Sequence, residues 1–141
     1  MQNDKVMSIC NCLNIDILGQ VSAESIGRKQ ISGTGGLMDF HYAAFHSKGG
    51  KGILGLQSAR LNKKTGKYES NIVPSFVPGT LVTMTASLTS YVATEYGMVN
   101  LKGKSTWERA EALVSIAHPE CQDELIQACK EANVWRKSNK R

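Results

Sequence analysis

The sequence has few aromatic residues and no long hydrophobic run. Aromatic residues make up 6% of its 141 residues, and no nucleic-acid-binding motif accompanies its positive charge, which argues against a polynucleotide partner. No apolar stretch is long enough to span a membrane, and no secretory signal pattern opens the sequence. We therefore expect a cytoplasmic protein with neither a nucleic-acid nor a membrane partner.

The sequence has little net charge outside its C-terminus. The formal net charge is +5, and residues 136–141 contribute four of the positive charges. A basic run at a chain end is usually solvated and frayed. With 41% hydrophobic residues the chain can form a core of its own. We expect one domain over residues 1–135, followed by a disordered basic tail over residues 136–141.

The chain also lacks the spacings that mark metal and triad chemistry. No C-x-x-C pair occurs among its cysteines, and no serine lies in a G-x-S-x-G context. His118 precedes Pro119 and is expected at a helix end, whereas His41 and His46 could face either a ligand or solvent. We expect no metal site, and we expect reduced, structural thiols at Cys10, Cys12, Cys121 and Cys129.

Glycine, by contrast, is concentrated in one short segment. Gly33, Gly35 and Gly36 fall within four residues of the stretch 30–40. Such a loop lets backbone amides converge on a ligand atom. It lacks the lysine and serine of a P-loop and the third glycine of a dinucleotide fingerprint, and no clear helix follows it directly. It could bind a phosphate, stabilise an oxyanion or simply form a turn.

The remaining pattern predicts short strands followed by helices. Glycine and proline turns separate apolar or β-branched runs, and residues 62–67 predict a hairpin turn. A short helix is possible over residues 40–45. The expected strands are residues 6–18, with a return strand at Val21, and residues 52–56, 71–73, 81–84, 91–94 and 98–101.

Two helices are expected near the C-terminus. Ser105 and Glu108 form an S-x-x-E capping box, and Pro119 suits the first turn of the next helix. The first helix has an apolar face of Trp107, Ala110, Val114 and Ala117, and the second has Cys121, Leu125, Ala128 and Ala132. This order predicts an α/β domain, with a layered open sheet and flanking helices.

The motifs, taken together, resemble a known family over nearly the whole chain. They are residues 14–27, 32–36 with Asp39-Phe40, 47–51, the Thr-Glu-Tyr-Gly of 94–97, 101–105, Arg109-Ala110 and 116–119. In this order they resemble the C-terminal domain of the acetyl-CoA hydrolase/transferase family, and most of all its 4-hydroxybutyrate and butyryl-CoA:acetate CoA-transferases. The resemblance implies a domain like those of the NagB/RpiA/CoA-transferase group.

The resemblance also implies the chemistry and its residues. Coenzyme A would pass from a short-chain acyl-CoA to a carboxylate such as acetate through a glutamyl-CoA thioester, whose glutamate lies upstream of this segment. By the same resemblance, the Gly36 amide faces the thioester carbonyl and Gly35 shapes the loop. Leu13, Gly36 and Arg60 would contact coenzyme A, and Glu95 would orient the site.

The implied partners are an N-terminal domain and further copies of the enzyme. The chain departs from the family at Leu37, Gln57 and Ala86, where a glutamine, a proline and an arginine are usual, and at Cys10, where an asparagine is expected. Two other functions stay open: an acyl-CoA hydrolase, in which water resolves the thioester, and a non-catalytic module that binds coenzyme A.

Overall fold

The computed structural model describes residues 3–139, and in this range the chain forms eleven strands and three helices. The strands are β1 (Met7–Asn11), β2 (Asn14–Asp16), β3 (Val21–Ser22), β4 (Ser25–Ile26), β5 (Lys29–Gln30), β6 (Lys51–Gly55), β7 (Ala59–Asn62), β8 (Lys67–Ser70), β9 (Ile72–Val73), β10 (Tyr91–Thr94) and β11 (Gly97–Asn100). The helices are α1 (Leu37–His46), α2 (Thr106–Ser115) and α3 (Pro119–Glu131).

The main sheet has four strands in the order β1-β6-β10-β11. Strands β1, β6 and β10 are parallel, whereas β11 pairs with β10 as an antiparallel hairpin. Helix α1 packs on β1 and β6, and α2 contacts β11. The predicted α/β domain, an open sheet with flanking helices, is confirmed.

The N-terminal apolar run does not form the single strand that its pattern predicts. Strand β1 belongs to the main sheet, and β2 pairs with β3 and β9 in a second sheet. The chain crosses between the sheets at Cys12 and Leu13, whose N–H groups bond to Gly55 O and Ser22 O respectively. The return strand at Val21 is confirmed, because Val21 pairs with Ile15.

Two smaller strand predictions have different outcomes. Strands β7 and β8 form a hairpin around residues 62–67, as expected. Residues 81–84 form no strand, since in the described range only Met84 makes a bridge, to Val21. Leu81 and Val82 are 50% and 46% exposed, because this segment crosses the surface.

The glycine-rich segment leads directly into a helix, so the expectation that no clear helix follows it was wrong. Helix α1 begins at Leu37 immediately after Gly36 and extends beyond the predicted 40–45 at both ends. Leu37 is buried and joins the hydrophobic core. Burial of this side chain anchors the start of the helix, a tertiary effect that local propensity does not report.

The two C-terminal helices pack against each other, and both contribute residues to the hydrophobic core. The Ser105–Glu108 capping box is present at the start of α2, and Pro119 begins α3. Ala110, Val114 and Ala117 are buried as predicted. In α3 the buried residues are Cys121, Leu125, Ile126 and Cys129. Ala128 is half-buried and Ala132 is exposed, so the prediction was wrong for Ala132 and missed Ile126 and Cys129.

The C-terminal segment contacts α2. The Arg136 guanidinium lies 3.9 Å from the centre of the Trp107 ring, and Asn139 Nδ2 donates to Trp107 O at 2.9 Å. Residues 140–141 of the expected basic tail lie outside the described residues, and the boundary at 135 stays a prediction. Among the described residues no helix is long and apolar enough to cross a membrane.

Candidate active site

The candidate site lies at the edge of the main sheet where the three parallel strands end. The C-terminal ends of parallel strands meet at one edge, which is where open α/β sheets bind ligands. Leu13 follows β1, Ser58 follows β6 and Glu95 follows β10. Helix α1 leads through a short turn into the start of β6, so its N-terminus lies toward the same edge. The topology therefore brings the glycine-rich loop and Glu95 to one side of the domain.

The glycine-rich loop presents unpaired amides at the start of α1. Within residues 3–139 the N–H groups of Gly35 and Gly36 donate to no other group, and no side chain caps the helix. The first amides of a helix carry partial positive charge and need acceptors. Gly36 has φ −85° and ψ 8°, a conformation open to any residue. This arrangement suits an oxyanion or another anion better than a simple turn.

Glu95 is held as a fixed carboxylate by Ser58. The Ser58 hydroxyl donates to Glu95 Oε1 at 2.6 Å, and the Ser58 N–H donates to Oε2 at 3.0 Å. Partial burial raises the pKa of Glu95, but hydrogen bonds from Ser58 and from the backbone together outweigh it and lower the pKa overall. Glu95 is therefore charged at neutral pH and suits an orienting role better than that of an acid.

An aromatic cluster lies close to this carboxylate, because Tyr96 is the next residue in sequence and Glu95 interacts electrostatically with His118. The His118 ring stacks on Tyr68 with centroids 3.9 Å apart and meets Tyr96 edge-on at 5.6 Å. His118 Nδ1 accepts from Glu120 N at the start of α3, so the predicted helix-end position is correct. Partial burial, followed by the charge of Glu95, raises the pKa of Tyr96, so its phenol stays protonated.

Arg60 and Leu13 lie near this edge, but their proposed contacts with coenzyme A stay predictions. Arg60 is on β7, two residues after Ser58, and pairs with Glu69 at 2.8 Å, while its side chain remains 61% exposed. A hydrogen bond from the Asn62 side chain and a smaller contribution from the hydrogen bond of Arg60 lower the pKa of Glu69. Leu13 is half-buried where the chain crosses between sheets. A phosphate at Arg60 would share the guanidinium with Glu69.

The cysteines and His41 lie inside the packing of the domain. All four cysteines are free, and burial raises the pKa of Cys12 to about 12 and of Cys129 to about 11, so these two stay thiols. His41 is 1% exposed, so neither reading of it, ligand-facing or solvent-facing, was right. Its Nδ1 lies 3.2 Å from Ser8 Oγ, and burial lowers its pKa. His46 is exposed.

Sequence reasoning missed the residues that hold the site together. Ser58 and Tyr68 carried no motif of their own, and Glu24 was left without a role. Ser58 follows a buried strand at its C-terminal end, as Glu95 follows β10, so its position could have suggested it. Tyr68 could not be found this way, because its contact with His118 joins a hairpin to a helix about 50 residues away in sequence. No group of three or more potential metal ligands gathers within residues 3–139.

These features define a class: an α/β domain that binds its ligand at the ends of parallel strands, with amide donors suited to acyl transfer. The chain belongs to the acetyl-CoA hydrolase/transferase family, because the sequence profile of that family's C-terminal domain matches residues 1–129.

Named relatives and solved structures agree with this assignment. The chain is 48% identical over 137 residues to the butyryl-CoA:acetate CoA-transferase of Anaerostipes caccae, and the match covers 97% of this chain and 30% of the relative. It is 45% identical over 130 residues to the 4-hydroxybutyrate coenzyme A transferase of Clostridium kluyveri, covering 92% of this chain and 29% of the relative. The crystal structure of RipA from Yersinia pestis superimposes with a TM-score of 0.82 at 40% identity, over 94% of this chain and 29% of that one.

The chain spans about 30% of the length of the curated relatives that it matches. The structure of a 4-hydroxybutyrate CoA-transferase from Porphyromonas gingivalis gives the same proportion, since the match covers 93% of this chain but 28% of that one, with a TM-score of 0.68 and 34% identity. Relatives of this family therefore contain much more polypeptide than the domain described above.

Proposed function

We propose that this domain is the C-terminal part of a cytoplasmic CoA-transferase that exchanges coenzyme A between a short-chain acyl-CoA, of butyryl or 4-hydroxybutyryl type, and a carboxylate such as acetate. The carrying observation is that the amides of Gly35 and Gly36 have no acceptor among residues 3–139, while the topology directs them to the end of the sheet where Ser58 fixes the carboxylate of Glu95. Acyl transfer through a thioester places negative charge on the carbonyl oxygen, and fixed amide donors stabilise it.

In this proposal the domain supplies donors and orientation but no nucleophile. The Gly36 amide, with Gly35 beside it, would receive the thioester oxygen. Glu95 would stay ionised and orient the site, because the hydrogen bonds from Ser58 hold its pKa low. Leu13 and Arg60 would contact coenzyme A. The attacking glutamate, which becomes a glutamyl-CoA thioester, would belong to the additional polypeptide that the relatives carry.

One face of the main sheet exposes apolar side chains, which favours a further stretch of polypeptide as the partner. On the face that α1 covers, Ser8, Gly52, Leu54 and Val92 are buried. The opposite face, which we call the open face, carries an apolar patch bordered by the polar Asn11, Lys51 and Asn100. The patch consists of Met7, Ile9, Ile53, Tyr91, Ala93 and Met98, and none of these residues is buried. Ile9 is 75% exposed, Met7 60% and Met98 57%.

Parallel strands are almost always covered on both faces. An exposed apolar patch of this kind marks an interaction surface. We propose that the remaining polypeptide of the family covers the open face, since it makes up about 70% of each relative's length, given that the chain covers 30% of the Anaerostipes protein. Homo-oligomers would then form through other surfaces.

The activity is tested in a chimera, in which this domain replaces the matching part of the Anaerostipes caccae enzyme. We expect acetate-dependent consumption of butyryl-CoA, and borohydride should reduce the thioester and mark a glutamate outside this domain, as mapped by mass spectrometry. Butyryl-CoA consumption independent of acetate would identify a hydrolase instead. An inactive chimera that still binds coenzyme A in calorimetry would favour the non-catalytic module.

The partner is tested by mixing the chain with the remaining part of the same Anaerostipes enzyme and measuring binding. Ile9→Glu should abolish association, whereas Leu81→Glu, at a residue 50% exposed elsewhere, should not. Circular dichroism should show both variants folded. If the wild-type chain instead forms dimers that Ile9→Glu dissociates, then a second copy covers the open face and the proposed partner is wrong.

A further inference from the structure

Glu24 is a buried carboxylate beside the glycine-rich loop. It is 8% exposed and lies between β3 and β4, in a segment tied firmly to the rest of the domain. Ala23 N donates to Thr83 Oγ1 at 3.0 Å, and the buried Ser22 hydroxyl donates to Ser25 O at 2.8 Å. These hydrogen bonds hold the backbone on the N-terminal side of Glu24 in place.

Both the backbone and the side chain of Glu24 hold the loop. Its carbonyl oxygen accepts from Ile31 N at 2.8 Å and from Ser32 N at 3.1 Å, at the point where the loop begins. Its Oε2 accepts from the Thr34 hydroxyl at 2.8 Å, between Gly33 and Gly35. The carboxylate therefore reaches the middle of the loop, beyond its backbone anchor.

The Thr34–Glu24 hydrogen bond is the single tether of this stretch. Among residues 3–139, no other hydrogen bond joins residues 33–35 to the domain. All three of these residues are exposed, and a methyl group at Gly33 or Gly35 would meet nothing within 4 Å. Glycines lose more conformational freedom on ordering than other residues, so an untethered loop of this composition samples many conformations.

We infer that Glu24 is a positioning residue, which fixes the amides of Gly35 and Gly36 for acyl transfer through its hydrogen bond to Thr34. The inference rests on the proposed function, because it assigns the loop amides to the thioester oxygen. Amide donors contribute to catalysis when they are held in place before the charge develops. Glu24 provides this order without touching the substrate.

The first test measures order without requiring activity. The ¹⁵N NMR order parameters of the amides of residues 33–36 in the 141-residue chain should fall to below about 0.6 in Thr34→Val, since the single hydrogen bond that joins residues 33–35 to the rest of the described chain is lost. Thr34→Ser keeps the hydroxyl and should give the order parameters of the unaltered chain. Thr65→Val is the matched control, because its hydroxyl lies in the remote 62–67 turn. Unchanged order parameters in Thr34→Val would overturn the inference.

The second test measures kcat in the chimera. Thr34→Val and Glu24→Ala should each lower kcat about tenfold with little change in KM, and the double variant should be no worse than either alone. Glu24→Gln keeps an acceptor oxygen and should lose less. Additive losses, or a kcat unaffected by Thr34→Val while the order parameters of the loop fall, would contradict the inference. An inactive chimera with the unaltered domain would contradict the proposed function instead, and the order parameters would stand apart from it.

Discussion

The two halves of the candidate site are built in opposite ways. At the start of α1 the loop is exposed, and its Gly35 and Gly36 amides have no acceptor in the described chain. At the end of β10, Glu95 is a carboxylate whose two oxygens already receive donors from Ser58. We attribute this difference in hydrogen bonding to the time at which each half of the site faces a negative charge. Charge that develops only during reaction needs donors kept free, whereas permanent charge needs donors already in place.

Removing the free donor should have the largest effect. Gly36 has φ −85°, close to the range of proline, so Gly36→Pro removes the N–H group with little change in backbone. Gly36→Ala is the matched control, because it keeps the N–H while its methyl also meets the Phe40 ring, at 2.8 Å. We expect kcat of the chimera to fall about 100-fold further in the proline variant than in the alanine variant.

Phe40 is 64% exposed and can move, so Gly36→Ala itself should cost little stability. If both variants lose the same activity, then crowding rather than the lost donor is the cause. In that case the amide of Gly36 has no role in the reaction.

A second prediction compares a glycine with open space around it, Gly35, with a glycine in a tightly packed interface, Gly52. At Gly52 an added methyl would lie 2.7 Å from His41 Cδ2 in the buried interface of α1 and β6, whereas at Gly35 it would meet nothing within 4 Å. Gly52→Ala should lower the free energy of unfolding by about 1–3 kcal/mol. Gly35→Ala should change it by less than about 0.5 kcal/mol. Urea denaturation of the chain measures both, and an equal loss would show that the loop is also packed.

The third prediction weakens the opposite half of the site. Ser58→Ala removes the hydroxyl donor of Glu95 but keeps the N–H donor, so the pKa of Glu95 should rise toward its usual 4.5. Carbon-detected NMR titration of the carboxyl group measures this. Ser115→Ala, which removes a hydroxyl bonded within its own helix, is the control. We expect kcat of the chimera to fall roughly tenfold because Glu95 becomes less ordered.

The same substitution has a defined pH dependence. A carboxylate whose pKa is lowered by folding stabilises the protein above its usual pKa and loses that contribution as the pH falls through the folded value. The difference in melting temperature between Ser58→Ala and the unaltered chain should therefore be largest above pH 4.5 and narrow below it. A difference that stays constant with pH would mean that Ser58 acts through packing and not through Glu95.

The sequence reveals those parts of the fold and the site whose causes are local. The capping box at Ser105 and the turn at residues 62–67 depend on a few neighbouring residues, and both were predicted correctly. The start of α1 depends on the burial of Leu37 against distant elements, and the strand break at Cys12 depends on which sheet each half joins. Such tertiary causes leave no local pattern, so helix α1 was underestimated and residues 6–18 were read as one strand.

The same distinction holds within the candidate site. Gly36 and Glu95 were identified by composition and by resemblance to a family. Their supports, Ser58 and Glu24, act over 37 and 10 residues of sequence separation, to Glu95 and Thr34 respectively. A hydrogen bond over such a separation depends on the fold, so the sequence could suggest which groups react but not which groups hold them.

The smallest effect is expected at Arg60. Its charge is paired, like that of Glu95, but its side chain is exposed, like the glycine-rich loop. Its Nη2 and Nε both contact Glu69 Oε2, at 2.8 and 2.9 Å. Exposed pairs of this kind contribute little to stability, so Arg60→Gln should leave the melting temperature nearly unchanged. If Arg60 also binds a phosphate of coenzyme A, calorimetry on the chimera should show about fivefold weaker binding and a weaker salt dependence. Lys67→Gln, on the same hairpin, is the control, and equal losses in both variants would reduce the role of Arg60 to general positive charge.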